Sequence, residues 1–181
     1  MSGHSKWAKI KRKKELTDAK KGQLFSKLSK IIEIAAKKGG DIKTNLSLKA
    51  AVDQAKAENM PSDNIARAIK KGLGVLEGEV LEEVIYEAYG PGGAALLITA
   101  VTSNKNRTVS EIKHILAQHE AGLSGTGGVK WLFETKYDNG EIKWLAKQTL
   151  KLNPEDESKF LMLMSDLDDQ EDVIEVYTNA E

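Results

Sequence analysis

Apolar residues recur first at helical and then at extended spacing along this chain. From Thr17 to Lys38, Leu24, Leu28, Ile31, Ile32 and Ala35 fall three and four residues apart, predicting an amphipathic helix with lysines on its outer face and a stop at Gly39 and Gly40. Leu48, Ala51, Val52 and Ala55 share the face of a second helix, interrupted at Met60 and Pro61. Ser62 is then expected as the N-cap of a third, carrying Ile65 and Ile69 and ending at Gly72. After a polar link the period shortens. Val84 to Tyr89 predicts a strand closed by the turn "YGPGG", and "AALLITAVTS" reads as a buried strand. Val109, Ile112, Ile115 and Leu116 restore helical spacing. "GGVKWLFETK" alternates, and Asn139-Gly140 predicts a hairpin leading into "EIKWLAKQTLKLN". A helix introduced by Asn153 and Pro154, with Phe160, Leu163 and Leu167, and a final strand "DVIEVYTN" complete the order.

The fold class this predicts is α+β. Residues 1–76 form a basic tail and a three-helix domain; residues 77–181 form a ferredoxin-like βαββαβ sandwich with both helices on one face and Val84 to Tyr89 as an extra strand.

Charge sharpens that division. The 181 residues carry no net charge, yet residues 1–72 hold 18 Lys and Arg against 7 Asp and Glu, and residues 73–181 hold 9 against 20. A basic module joined to an acidic one points to a polyanionic partner for the first. With no cysteine, a disulfide framework, a thiolate zinc site and a thiol nucleophile are all excluded. No apolar run reaches the ~18 residues of a membrane span, and the lysine-rich start lacks the apolar stretch of a signal peptide. The expectation is a mature cytoplasmic protein with no membrane partner.

The candidate chemistry is concentrated at the start. In "GHSKWAKIKRKK", Lys6, Lys9, Lys11, Arg12, Lys13 and Lys14 are suited to phosphates, which they bind with release of counterions. His4 can donate a hydrogen bond there, and Trp7 either stacks on a base or docks on the helices behind it. Lys20 and Lys21 extend the same surface. In "TSNKNRT", Asn104, Lys105 and Arg107 offer a second anion contact at a helix start, with capping by Asn106 or Thr108 as the structural alternative. "GLSGTGGVK" has the glycine density of a phosphate cradle, but it lacks the P-loop ending and is expected to be a mobile loop. "LDDQED" reads as a solvated turn, with a Mg²⁺ cluster as the alternative. His114 and His119 are five apart and do not share a helix face, so no metal site, cofactor or small-molecule substrate is expected, and no catalytic constellation emerges.

"GHSKWAKIKRKK", "NMPSDNIARAIKKG", "YEAYGPGGAALLITAVTSNKNRT" and "VIEVYTNAE" together resemble the YebC family, a group of transcriptional regulators that includes a mitochondrial translational activator. The resemblance implies a helical N-terminal domain followed by α+β domains, no catalytic residues, and a role either on DNA or on the ribosome. It also implies a third domain inserted within the second. Here "WLFETK" runs within a few residues into the "DNG" turn, so the chain is expected to be a short form without that insert.

The function expected is that of a non-enzymatic, ribosome-associated translation factor that binds ribosomal RNA through its basic domain, with ribosomal proteins as further partners. The alternatives are a DNA-binding transcriptional regulator and a protein-interaction module that binds no nucleic acid. If the six basic residues from Lys6 to Lys14 meet phosphates, neutralising all six should flatten the salt dependence of nucleic-acid affinity, by about 0.9 in log–log slope for each phosphate no longer neutralised. An unchanged slope in a filter-binding titration would remove this segment from the surface.

Overall fold

The computed structural model describes residues 17–181. Three helices come first: α1 (Asp18–Ala36), α2 (Leu46–Ala57) and α3 (Ser62–Gly72). The Thr17 side chain accepts from the Lys20 amide and starts α1. Asn45 serves two helices at once. Its Oδ1 accepts from the Leu48 amide at 3.0 Å to cap α2, while its Nδ2 donates to the Ala35 and Gly39 carbonyls at 2.8 and 2.7 Å, tying α2 to the end of α1 and the turn after it. The third helix begins at Ser62 with Pro61 in the cap position, one residue from expectation, because proline fixes the extended backbone that precedes the first turn. Leu28, Ile32, Leu48, Val52, Ile65 and their neighbours form one buried cluster. Gly72 is required where α3 meets α1: a Cβ there would lie 2.4 Å from the Glu33 carbonyl oxygen and 2.7 Å from Ala36 Cβ.

The second half contains β1 (Glu82–Tyr89), β2 (Ala95–Thr102), α4 (Lys105–Gln118), the two-residue β3 (Gly122–Leu123), β4 (Phe133–Asp138), β5 (Glu141–Ala146), α5 (Pro154–Asp169) and β6 (Val173–Thr178). The α+β class and the placement of both helices on one face are as the sequence predicts, and so is the order of elements except for β3, which falls in the glycine-rich stretch expected as a loop, and for residues 128–132, which turn before β4 begins at Phe133. The strand pairing is not. Four antiparallel strands run in the order β3-β1-β2-β6, while β4 and β5 pair only with each other in a separate hairpin. The strand expected as an addition, β1, therefore sits beside β2 where a ferredoxin-like sheet would put a hairpin strand. The cause is local: Pro91–Gly93 makes a tight turn, with Gly92 at φ +67°, so β1 folds straight back on β2 in full register from Tyr89↔Ala95 to Glu82↔Thr102.

This arrangement makes three layers. On one face of the sheet, Leu96 and Ile98 pack with Ile112 and Leu116 of α4 and Phe160, Leu163 and Leu167 of α5. On the other, Ala95, Leu97 and Tyr177 meet Val129, Phe133 and Trp144 of the hairpin layer. Strand β2 is covered on both sides, which is why its sequence is a nearly continuous apolar run. The hairpin tip reaches the helical bundle, where Ser47 Oγ donates to the Gly140 carbonyl at 2.6 Å.

The main joint between the two halves is a buried carboxylate. Asp172, 1% exposed at its side chain, accepts from Lys30 Nζ of α1 at 2.6 Å, Thr108 Oγ1 at 2.7 Å and Arg107 of α4 at 2.9 Å. The lysines of α1 are thus not all outward as expected. Lys27 donates to the Asp168 carbonyl in the last turn of α5, where carbonyls lack helical partners, and Lys30 to that of Glu171 in the turn after it at 3.1 Å, so part of the basic face is laid on the end of α5 and the segment leading to β6. The "LDDQED" segment is correspondingly no simple solvated turn, because the joint draws its last residue inside.

Burial alone would raise the Asp172 pKa, but its bonds from Lys30, Thr108 and Arg107 outweigh that and hold it at about 2. A carboxyl depressed in the folded state contributes stability that is full above its ordinary value of 3.8 and fades as pH falls through about 2. Asp172→Asn should cost about 3 kcal/mol in denaturant unfolding near neutral pH by leaving Lys30 without its carboxylate and Arg107 with only its Glu171 and Glu111 contacts, and should remove most of the stability loss between those pH values. A variant as stable and as acid-sensitive as the parent would contradict this role.

Candidate nucleic-acid interface

Of the residues that the sequence nominates, His4, Lys6, Trp7, Lys9, Lys11, Arg12, Lys13 and Lys14 lie outside the described residues. Lys20 and Lys21 stand on the first turn of α1. Lys21 is exposed, and Lys20 is half-buried with its Nζ 3.9 Å from Asp169 Oδ1.

The second nominated cluster is drawn into the protein's own contacts. Asn104 is the N-cap of α4, its Oδ1 accepting from the Arg107 amide at 3.1 Å, so the cap falls on Asn104 and not on Asn106 or Thr108. Thr108 is buried, its hydroxyl bound to Thr102, Asp172 and the Asn104 carbonyl. Lys105 Nζ lies 3.0 Å from Glu82. Arg107 reaches Asp172 at 2.9 Å and Glu171 at 3.1 Å, and the Asp172 hydrogen bond and charge push its pKa up. A phosphate approaching Asn104, Lys105 and Arg107 meets cations already paired with carboxylates.

The helical bundle offers a different surface, which the linear reading missed. Between α1 and α3 runs an open groove of about 320 Å³, lined by Ser26, Ser29 and Glu33 on one side and Asn64, Arg67 and Lys71 on the other. The three- and four-residue spacing on each helix places these groups in two facing rows. Hydroxyls, an amide, an ammonium and a guanidinium fork make a donor set matched to phosphate oxygens. Glu33 is the exception. Burial raises its pKa, with Lys71, Lys30 and Lys37 pulling the other way. The signal in the sequence was Arg67 and Lys71 four apart, but only the tertiary crossing at Gly72 sets Ser26 and Ser29 opposite them.

The glycine-rich loop proves to be an anion cradle after all, filled by the protein itself. Buried Glu87 of β1 accepts from the amides of Gly127, Val129 and Lys130 at 2.7, 2.9 and 2.8 Å. Burial works to raise its pKa, but these three bonds prevail and lower it. The loop expected to be mobile is therefore pinned to the sheet. Among the remaining nominated residues, His119 Nε2 lies 2.6 Å from Asp166 and ties α4 to α5, and His114 lies 3.2 Å from Gln118. No group of three or more His, Asp or Glu residues able to hold a metal occurs among the described residues, and no described helix is long and apolar enough to cross a membrane.

The model of the TACO1/YebC N-terminal domain matches residues 5–75, and that of the second and third domain matches residues 81–137 and 134–180. The chain belongs to the TACO1/YebC family. The two stretches of the latter match meet within β4, where the sequence places the missing insert. A probable transcriptional regulatory protein of Caldanaerobacter subterraneus subsp. tengcongensis is 41% identical over 239 aligned positions, spanning 100% of this chain and 98% of that protein. Another from Desulfitobacterium hafniense is 48% identical over 182 positions, 98% of this chain and 70% of its own length. The alignment with the former exceeds this chain's 181 residues, which marks this member as a short form. The crystal structure of a conserved hypothetical protein from Aquifex aeolicus matches with a TM-score of 0.81 at 32% identity, covering 91% of each chain.

If the α1–α3 groove holds phosphates, replacing Arg67 and Lys71 together by alanine should weaken nucleic-acid binding and lower the salt slope by about 2, one for each phosphate released. Glu33→Gln should strengthen binding at neutral pH. Both effects are read by anisotropy titration, and unchanged slopes would move the binding surface elsewhere.

Proposed function

We propose that this TACO1/YebC member is a non-enzymatic regulator of gene expression that binds DNA through its basic helical module and acts on transcription. The observation that carries the reading is the concentration of 18 basic against 7 acidic residues in positions 1–72, with Lys21, Arg67 and Lys71 exposed on the described part of that module. Such a surface gives the sequence-independent affinity on which any duplex contact depends. Relatives at 41% and 48% identity bear the name of probable transcriptional regulatory proteins, which supports DNA as the polymer.

A second reading, ribosomal RNA with ribosomal proteins nearby, is favoured by the charge of the other half. Residues 73–181 hold 20 acidic against 9 basic side chains, a surface that duplex DNA repels and basic proteins attract. In either case the protein works by occupying a polymer in the cytoplasm. Crosslinking in cells followed by sequencing of the bound nucleic acid distinguishes the two. Enrichment of promoter DNA is the expected result, enrichment of ribosomal RNA would transfer the role to translation, and recovery of neither would overturn both.

A further inference from the structure

One surface of the acidic half has the wrong composition for its surroundings. Residues 121–153 hold five lysines against three acidic residues, while the remainder of residues 73–181 holds 4 basic against 17 acidic. Within this stretch Trp131 is 64% exposed, and Tyr89, 39% exposed, shares its hydrogen-bond acceptor. Both rings are fixed by a single acceptor. Trp131 Nε1 and the Tyr89 hydroxyl each donate to the Gly128 carbonyl at 3.0 Å. Gly128 itself lies in the loop that Glu87 holds through the amides on either side of it, Gly127 and Val129. Lys147 Nζ donates to the Trp131 carbonyl at 2.8 Å, and Lys130 Nζ sits 5.0 Å from the centre of the Trp144 ring. With its only donor satisfied internally, the Trp131 indole presents π surface to solvent, and exposed Lys130 and Lys147 lie next to it in the chain or bond its backbone.

We propose that Trp131, supported by Tyr89 and flanked by Lys130 and Lys147, is a second nucleic-acid contact, a platform on which an unpaired base stacks while the lysines meet its phosphates. This rests on the nucleic-acid reading above and adds to it a site remote in sequence from the basic module. Stacking on an aromatic face requires no particular donor or acceptor on the base, so an indole with its edge already occupied is suited to it. Lysine is depleted at the centre of protein interfaces, so an exposed tryptophan in a segment with five lysines against three acidic residues favours a polyanion over a protein partner. Base-paired DNA hides its base faces, so the platform selects single-stranded or locally opened segments.

The test compares three probes on the full-length chain: a 12-nucleotide oligothymidine, an abasic strand of the same length, and a duplex of the same length. The expected result is oligothymidine bound about 5- to 150-fold more tightly than the abasic strand. Trp131→Ala should abolish that ratio while leaving abasic and duplex affinities unchanged, and Trp131→Tyr should retain most of it. Equal affinity of the parent for the base-containing and abasic strands overturns the platform while leaving the polyanion reading intact. So does a ratio that persists in Trp131→Ala and disappears in Trp7→Ala, which assigns stacking to the N-terminal segment. An unaltered ratio in both variants locates base stacking elsewhere on the chain and overturns the proposal too. Failure of the parent to bind any of the three defeats the nucleic-acid reading and the platform together.

Discussion

The carboxylate of Asp172 is where the helical module and the sheet become one molecule. A charge removed from water is tolerated only when its lone pairs are filled, and here the fillers come from two separate parts of the chain: Lys30 from the bundle, Thr108 and Arg107 from the sandwich. Helix α1 therefore has two duties. Leu28 and Ile32 close the bundle core, while Lys27 and Lys30 terminate α5 and anchor β6. The lysines of this joint are engaged inside the protein, while Lys21 of α1 and Arg67 and Lys71 of α3 remain exposed among the described cations of the helical module.

That partition bears on the proposed polyanion partner of a chain without net charge. Some of its opposite charges are consumed internally, at Asp172 and at Arg107, and others are kept apart on different faces. The groove and the Trp131 island belong to different layers, one formed by crossing helices and the other by a hairpin covering the sheet. A nucleic acid meeting both would be held through its backbone at the first and through a base at the second. The overlapping family match in β4 places the short form's deletion within this same hairpin layer, and its Asn139-Gly140 tip contacts the start of α2.

Periodicity carried most of the fold because each helix and strand buries one regular set of apolar residues. The turns at Pro91–Gly93 and Asn139-Gly140 were equally readable, since their geometry is local. Strand partners were not. Phe133 and Trp144 have the same pattern whether their hairpin extends the sheet or lies across it, and only packing against Ala95 and Leu97 decides. The site followed the same rule. Clustered lysines and a family motif nominated residues adjacent in sequence, whereas Arg107 was claimed by an aspartate 65 residues away and the groove was assembled from helices that meet at Gly72. Glu87 carried no signal at all, because a carboxylate's partners are invisible until the backbone that supplies them has folded.

Glu87 also limits what the glycine-rich loop itself can bind. Its carboxylate already occupies the backbone donors of the glycine-rich loop, a stretch whose amides converge as a phosphate site would require. Free phosphate or a mononucleotide finds that nest permanently self-inhibited by a ligand tethered to the same chain. Recognition is left to side chains on the surface, which can be exchanged one at a time without disturbing a main-chain trap. With its amides occupied by Glu87, the loop has no main-chain donors at Gly127, Val129 and Lys130 left for a small anion.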